Sequence, residues 1–236
     1  MLERLDYVKI RPRRILDAAS GPPRRALGKR YPAAQVIALD FALGMLRPTS
    51  FWQKWFSPPS SVCADLTRLP LAAGAIDFVW CNMALHWLSD PLPAFREFAR
   101  VLAAEGLLMF STLGPDTLKE LRAAAGEARV HPFIDMHDLG DMLVAAGFSA
   151  PVMDMEMITV EYRKGQDLLS DLRASGQTNA RADRPRGLSG RNFGKRLSSP
   201  PRATFEVVYG HAWKGAKPDR HSNQTPKSVR IFKRMP

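Results

Sequence analysis

Cysteine is nearly absent: the 236-residue chain has two, Cys63 and Cys81. Their spacing makes neither a zinc site nor a redox pair, and two cysteines cannot staple a disulfide-rich scaffold. Both read as small buried hydrophobes in a reducing compartment. Long apolar runs are missing too, and nothing approaches the ~20 residues that span a bilayer. The opening MLERLDYVKIRPRR has no apolar core of the kind a secretory signal carries. A cytoplasmic protein without a membrane span is therefore expected. Acidic residues are scarce at one end. Residues 1–171 hold 19 Lys/Arg against 20 Asp/Glu, whereas residues 172–236 hold 15 against 3. A neutral body with a strongly basic C-terminal quarter calls for an acidic partner, or reads as a solvated tail. Nucleic acid is disfavoured as that partner. The body lacks a basic stripe interleaved with aromatics, and no Asn/Asp-Pro-Pro-Tyr motif of a base-flipping enzyme occurs. No metal-ligand pattern is present.

What is present is a 45% hydrophobic chain in which short apolar runs alternate with helical patterns. RRILDAAS, AQVIALD, SVCADL, AIDFVWCNMAL and GLLMFST read as successive strands. VMDMEMITVEY and TFEVVYGHAWKG follow as two later ones. Helices are expected near Arg24–Tyr31, from about Ala42, and over PLPAFREFARVLAAEG, which Gly106 should end. Further helices fit DTLKELRAAAGEA, DMHDLGDMLVAAGF and QDLLSDLRAS. The alternation predicts an α/β fold, a doubly wound and mostly parallel sheet with an antiparallel last strand. One domain over residues 1–215 is expected, with a basic loop insertion at 178–201 and a basic, disordered tail at 216–236. FWQKWFSPPS packs Phe51, Trp52, Trp55 and Phe56 close together, either to cover the sheet edge or to touch a partner.

Ligands of such sheets bind at the carboxyl ends of the strands. The first strand ends in ILDAASGPP, an acid and small residues that let a ligand approach the backbone. The stretch holds one glycine, Gly21, so it lacks the glycine triplet that cradles a pyrophosphate. Asp40 closes the second strand, 23 residues after Asp17, where an acid meets a ribose hydroxyl pair. Capping the next helix is the alternative role. Asp65 ends the third strand, either facing an adenine amino group or shaping a polar turn. Met45 and Leu66 are apolar neighbours suited to sandwich the ring.

ILDAASG, VIALD, CADLTRLPLAAGAIDFVWCNMALHWLSDP and AFREFARVLAAEGLLMFSTLGPDTLKELR resemble the class I S-adenosylmethionine-dependent methyltransferases. NMALHWLSDP, FSTLGPDTLKELR, HPFIDMHDLGDMLVAAGF and FEVVYGHAWKG are most similar to the BioC group. That group comprises the malonyl-acyl-carrier-protein O-methyltransferases of biotin synthesis. A mitochondrial relative that assists respiratory complex I assembly has similar motifs, and a cofactor-binding assembly factor is the competing reading. The resemblance implies an S-adenosylmethionine site. Asp17, Ala18, Ala19, Ser20 and Gly21 would face the methionine part, and Asp40 the ribose. Phe41 and Met45 would flank the adenine, Ala64, Asp65 and Leu66 would edge it, and Cys81, Asn82 and Met83 would lie beneath the sulfonium. His86 and Trp87 would border the substrate cleft. His131 matches a histidine thought to face the substrate carboxylate, with a capping or core role as the alternative. The resemblance also implies a malonyl thioester of acyl carrier protein as substrate, which Arg181, Arg184, Arg186 and Arg191 could dock. The family's Asp-x-Gly-x-Gly-x-Gly turn holds Ala19, Gly21 and Pro23 at its glycine positions. S-adenosylmethionine has no phosphate, so the demand for bare amides is milder.

Overall fold

Strands β1 (Arg14–Ala18), β2 (Gln35–Asp40), β3 (Ser60–Cys63), β4 (Ile76–Asn82), β5 (Leu102–Leu113), β6 (Phe148–Glu161) and β7 (Arg202–Lys214) join into one sheet. Their order is β3-β2-β1-β4-β5-β7-β6. The computed structural model describes residues 1–22, 26–46, 60–179, 184 and 202–215. β1 to β5 run parallel, and β7 is antiparallel to both β5 and β6. This is the expected α/β architecture, with the last strand slotted inside the sheet rather than added at its edge. The chain winds outward from β1 to β3 and then returns beside β1 as β4. That reversal opens a crevice at the carboxyl ends of β1 and β4.

The apolar runs explain the layering. β4 is buried at Ile76, Phe78, Val79, Trp80 and Cys81, as a strand covered on both faces must be. Its alternate residues serve different cores. Val79 and Cys81 join Leu16, Ala18, Leu108 and Phe110 on one face. Phe78 and Trp80 join Ile15, Leu107 and Met109 on the other. Helices cover both faces, as double winding requires. α2 (Leu92–Val101) and α4 (Met136–Ala145) pack on the first through Phe95, Phe98, Leu139 and Leu143. α1 (Ala26–Arg30) packs on the second through Leu27, beside Leu5 of a 3-10 turn at Glu3–Tyr7.

Three sequence expectations are corrected. The helix over PLPAFREFARVLAAEG ends at Val101 rather than at Gly106. Leu102 is already extended, with ψ at 140°, because it pairs with Ile76. The next pair is Phe78 with Leu107, so Ala103–Gly106 bulge out of the ladder. Glu105 takes a left-handed φ of 60° within that bulge. The helix expected from about Ala42 begins instead with turns, closed by Met45 N–H to Ala42 O and Leu46 N–H to Leu43 O. Residues 47–59, including the aromatic cluster at Phe51–Phe56, lie outside the described residues. Cys63 is exposed, unlike Cys81, because β3 forms the edge of the sheet. The basic loop expected at 178–201 lies almost wholly outside the described residues, and the tail at 216–236 entirely so.

A third, smaller core sits beyond the carboxyl end of β5. α3 (Lys119–Ala125) and α5 (Gly165–Ala174) bury Leu121, Leu168 and Leu172 against Ala203 of β7. The FSTLGPDTLKELR stretch enters it through a loop that β7 holds in place. Asp116 N–H donates to the carboxylate of Glu206 at 2.7 Å, and Leu118 N–H donates to Thr204 O at 2.6 Å. The Glu206 side chain is buried. It lies where a Cβ on Gly114 would meet it at 2.4 Å, so only glycine fits that position without displacing the carboxylate. Leu118 adopts a left-handed φ of 56° before α3, which is why α3 starts at Lys119 rather than at Asp116.

Candidate active site

Strand register alone brings the candidate cofactor residues together. Ala18 lies beside Leu39 on one side and Cys81 on the other, and Asp40 lies beside Cys63. Asp40 is the node of the crevice. One carboxylate oxygen accepts from Gly21 N–H at 3.0 Å and the other from Ala42 N–H at 2.8 Å. Its carbonyl accepts from Ala64 N–H at 3.1 Å. Three turns, after β1, β2 and β3, therefore converge on one residue. Each oxygen keeps a lone pair for a hydroxyl partner. Asp40 does not cap a helix in the described residues. Asp65 shapes its own turn, taking Thr67 N–H and Oγ–H on Oδ1, both at 2.8 Å. Leu66 points its side chain into the core and is not available to sandwich a ring. Phe41 and Met45, one and five residues after Asp40, are 77% and 48% exposed apolar side chains.

The turn after β1 is built without its usual glycines. Ala19 takes φ 55° and Gly21 φ 61°. Ser20 between them donates its N–H to Leu39 O at 2.9 Å. A left-handed alanine costs about 1–2 kcal/mol relative to glycine. Ala19→Gly is therefore expected to stabilise the fold by roughly 0.5–1 kcal/mol after glycine's entropy is counted, read as a higher melting temperature. An unchanged or lower melting temperature would show that the turn is unstrained. Pro23 lies outside the described residues.

At the end of β4, Met83 also takes a left-handed φ of 55°. Ser111 holds it there. Met83 N–H lies 2.9 Å from Ser111 O and 3.1 Å from its Oγ, and the Ser111 hydroxyl donates to Asn82 Oδ1 at 2.9 Å. Strained non-glycine residues that cluster on one crevice point to a functional site. Ser111 escaped the sequence reading; its one signal is a polar residue closing the apolar run GLLMF. Cys81 is buried, and burial above all, with the Asp17 charge, pushes its thiol far up, so it stays protonated and is no nucleophile. Cys81 and Asn82 are the last two residues of β4.

A second compartment adjoins the first. One cavity of about 220 Å³ is lined by Leu113, Arg129, His131, Phe133, Arg173 and Gln177 among others. A larger one of about 550 Å³ shares Leu113, Gln177 and Phe205 with it and reaches Met83. His86 and Trp87, on the 3-10 turn after β4, pack against Phe133 and His131, which line the smaller cavity. The His86 and Trp87 rings are 5.3 Å apart, and Trp87 meets His131 edge-on at 5.5 Å. His131 Nε2 is 3.4 Å from Thr178 O. His131 is therefore neither a helix cap nor a core residue but part of the cavity wall. Phe133, Gln177 and Arg173 were missed in the sequence, because nothing local marks which face of a loop or helix a distant cavity will use. Of the proposed docking arginines, Arg184 is described and Arg181, Arg186 and Arg191 are not. Among the described residues no group of His, Cys, Asp or Glu could hold a metal ion. No helix among them is long and apolar enough to cross a membrane.

His86 carries a pH signature. Burial, then the nearby His131 charge, lowers its pKa to about 4 from 6.5. Above pH 6.5 the ring is neutral in both folded and unfolded chains and pH has no leverage. Below that, the unfolded chain takes up a proton that the folded one refuses, so stability falls until about pH 4. The loss is about 3 kcal/mol in all. His211, also lowered mainly by burial, acts in the same direction. His86→Leu is expected to flatten the fall in denaturation midpoint between pH 7 and pH 4.5. An equal fall in both proteins would place the proton elsewhere.

The donor set fits S-adenosylmethionine. A carboxylate at the end of β2 has lone pairs for a ribose, exposed apolar side chains stand beside it, and no phosphate-binding triplet is present. A family model described as a methyltransferase domain matches residues 16–110, which run from β1 to β5. The YcgJ protein of Bacillus subtilis has the same fold, with a TM-score of 0.65 at 17% identity over 91% of this chain and 97% of that one. A malonyl-[acyl-carrier protein] O-methyltransferase of Gallionella capsiferriformans is 51% identical over 92% of this chain and 82% of its own length. One from Methylovorus sp. is 50% identical over 91% and 79%. Identity of about half over nine-tenths of this chain shows that it belongs to the malonyl-[acyl-carrier protein] O-methyltransferase family.

Proposed function

We propose that this protein transfers a methyl group from S-adenosylmethionine to the free carboxylate of a malonyl thioester on acyl carrier protein, in the cytoplasm. One observation supports this above the others: Met83, at the end of β4 in the strand-end crevice, lines a cavity that shares Leu113, Leu172, Gln177 and Phe205 with a second one lined by Arg129 and Arg173. A cofactor site therefore adjoins a pocket suited to an anionic group. S-adenosylmethionine bound there supplies a methyl group on a sulfonium, which leaves behind a neutral thioether. Asp40 holds the ribose, Phe41 and Met45 flank the adenine, and the turn from Asp17 to Gly21 faces the amino acid end. Ala64 and Asp65 edge the base, and Asn82 and Met83 form the floor. The malonyl carboxylate has a reference pKa near ~4 and is ionised at neutral pH, so the chain need not move a proton. Its residues align the two reactants and exclude water. His131 donates to the carboxylate, and the basic residues between 178 and 201 meet the acidic carrier protein.

The test is incubation with methyl-labelled S-adenosylmethionine and malonyl carrier protein, with the methyl ester as readout. Ester formation, absent with acetyl carrier protein, is the expected result. Tight cofactor binding without ester would favour the assembly-factor reading, and no cofactor binding would overturn the site itself.

A further inference from the structure

Helix α5 sets two opposite charges on two adjoining cavities. Leu172 is buried and lines both of them. Successive helical side chains point about 100° apart, so the residues on either side of Leu172 diverge. Asp171 lines the larger cavity, the one that reaches Met83, and Arg173 lines the smaller. The other walls keep the same division. Among the described residues, Asp171 is the one charged side chain on the larger cavity. The smaller has Arg129, His131 and Arg173 and no acid.

The two charges differ in what they already hold. Asp171 accepts from the Tyr162 hydroxyl at 3.1 Å. Arg173 has neither a side-chain hydrogen bond nor an ion pair among the described residues. Other arginines of this region are committed. Arg122 donates to Pro115 O at 2.9 Å and pairs with Glu127, and Arg202 pairs with Glu161 at 2.9 Å. Asp171 cannot serve Arg173, since helical residues two apart do not face each other. Arg173 lies in the last turn of α5, where the helix dipole favours any cation. That accounts for a positive charge. It does not account for an exposed guanidinium on a cavity without acids.

We propose that Arg173 binds the free carboxylate of the acyl group, alongside His131, and makes the site select an acyl chain that carries one. This rests on the carboxyl-methylation reading above. The methyl arrives from the Met83 side and the guanidinium stands on the other. The carboxylate therefore lies where the cavities meet, at Leu113, Leu172, Gln177 and Phe205. Asp171 repels it from the rest of the larger cavity. A guanidinium fork matches the two carboxylate oxygens, and each oxygen keeps a lone pair for attack. In methyl transfer one oxygen forms the new C–O bond while the methyl–sulfur bond breaks and its electrons stay on sulfur. The negative charge of the carboxylate and the positive charge of the sulfonium vanish together, and Arg173 keeps its protons. Arg173 thus holds the substrate at least as firmly as the transition state, and it loses its partner once the ester forms. The contact that admits the acid releases the ester.

Arg173→Gln removes the charge from an exposed side chain and should leave the melting temperature and the S-adenosylmethionine affinity unchanged. Its KM for malonyl carrier protein is expected to rise about 10–100-fold, the worth of one hydrogen bond to a charged group. Its kcat should be unchanged or higher, because the lost contact favours the ground state. Arg173→Lys keeps the charge and should recover most of the loss. A binding measurement separates the carboxylate from the rest of the substrate. With S-adenosylhomocysteine in place of the cofactor, malonyl pantetheine should bind Arg173→Gln about 10–100-fold more weakly than wild type. Its methyl ester should bind both proteins alike. Equal weakening of acid and ester overturns the proposal and makes Arg173 part of the wall only. A KM effect with unchanged binding of malonyl pantetheine also overturns it, and places Arg173 against the phosphate or the carrier protein itself. Wild-type values throughout overturn it as well, as does a wild-type protein that binds no malonyl pantetheine. A wild-type protein that binds the acid through Arg173 yet forms no ester identifies the methylation reading, rather than the role of Arg173, as the error.

Discussion

Asp40→Ala is expected to weaken S-adenosylmethionine binding by at least ~100-fold, the largest effect of any single change in the crevice. The carboxylate takes Gly21 N–H at 3.0 Å and Ala42 N–H at 2.8 Å while facing the proposed ribose. Hydrogen bonds to a charged group contribute about 1.5–3 kcal/mol each. Removing the acceptor frees Gly21 of the turn after β1, leaving only Ser20 N–H on Leu39 O to tie that turn to β2, and removes the hydroxyl contact as well. Asp40→Asn keeps one acceptor oxygen and should fall between the two, because it can hold one of the two amides. Calorimetric titration with S-adenosylmethionine measures the difference, and circular dichroism checks that the sheet survives. A dissociation constant within a few-fold of wild type in Asp40→Ala would sink the assignment of this crevice as the cofactor site.

Gly210→Ala should be the most damaging single methyl group in the sheet. Gly210 of β7 pairs with Phe110 of β5, and the phenyl ring lies across the glycine. A Cβ there would stand 2.3 and 2.4 Å from two ring carbons and 3.0 Å from the Met153 sulfur. The ring has nowhere to go. Phe110 is 1% exposed and packs against Phe95 of α2 at 5.4 Å. Overpacking of this kind costs about 1–3 kcal/mol, and more where the neighbour is locked. A fall of roughly 2–12 °C in melting temperature is expected at 2–4 °C per kcal/mol. Phe110→Leu in the same chain should restore more than half of it, since the clash is shared between the two positions. Equal melting temperatures for Gly210→Ala and the wild type would show that the ring is free to move.

The glycine-poor turn ILDAASGPP shows how far local sequence reaches. Its strand and turn formed as expected, because an apolar run ending in small residues specifies both. Its working form did not follow from its own residues. Ala19 accepts a left-handed φ of 55° because its neighbours fix it there. Ser20 N–H is bonded to Leu39 O and Gly21 N–H to Asp40, both on β2. The spacing of Asp40 from Asp17 pointed to the crevice, yet its role as an anchor for three turns depends on strand register. His86 is similar. NMALHW marked it as part of a cleft wall, but its burial and lack of partners arise from Phe133, His131 and Gln177, which are far along the chain.

The misread helix end has the same cause. AAEG reads locally as the end of a helix, and glycine is a common stop. Pairing of Leu102 with Ile76 outweighs that preference and turns the chain into β5 at once. Sequence alone determined the alternation of strands and helices, the continuous apolar run of β4, and the acids at the strand ends. Periodicity and end residues are local properties, and each element carries its own copy. Tertiary structure alone decided that β7 enters between β5 and β6, that Glu206 holds a loop 90 residues away, and that Phe133 packs on His86. Those contacts join segments whose separation in the chain leaves no periodic trace, and they form only when the cores on both faces of the sheet fix the register.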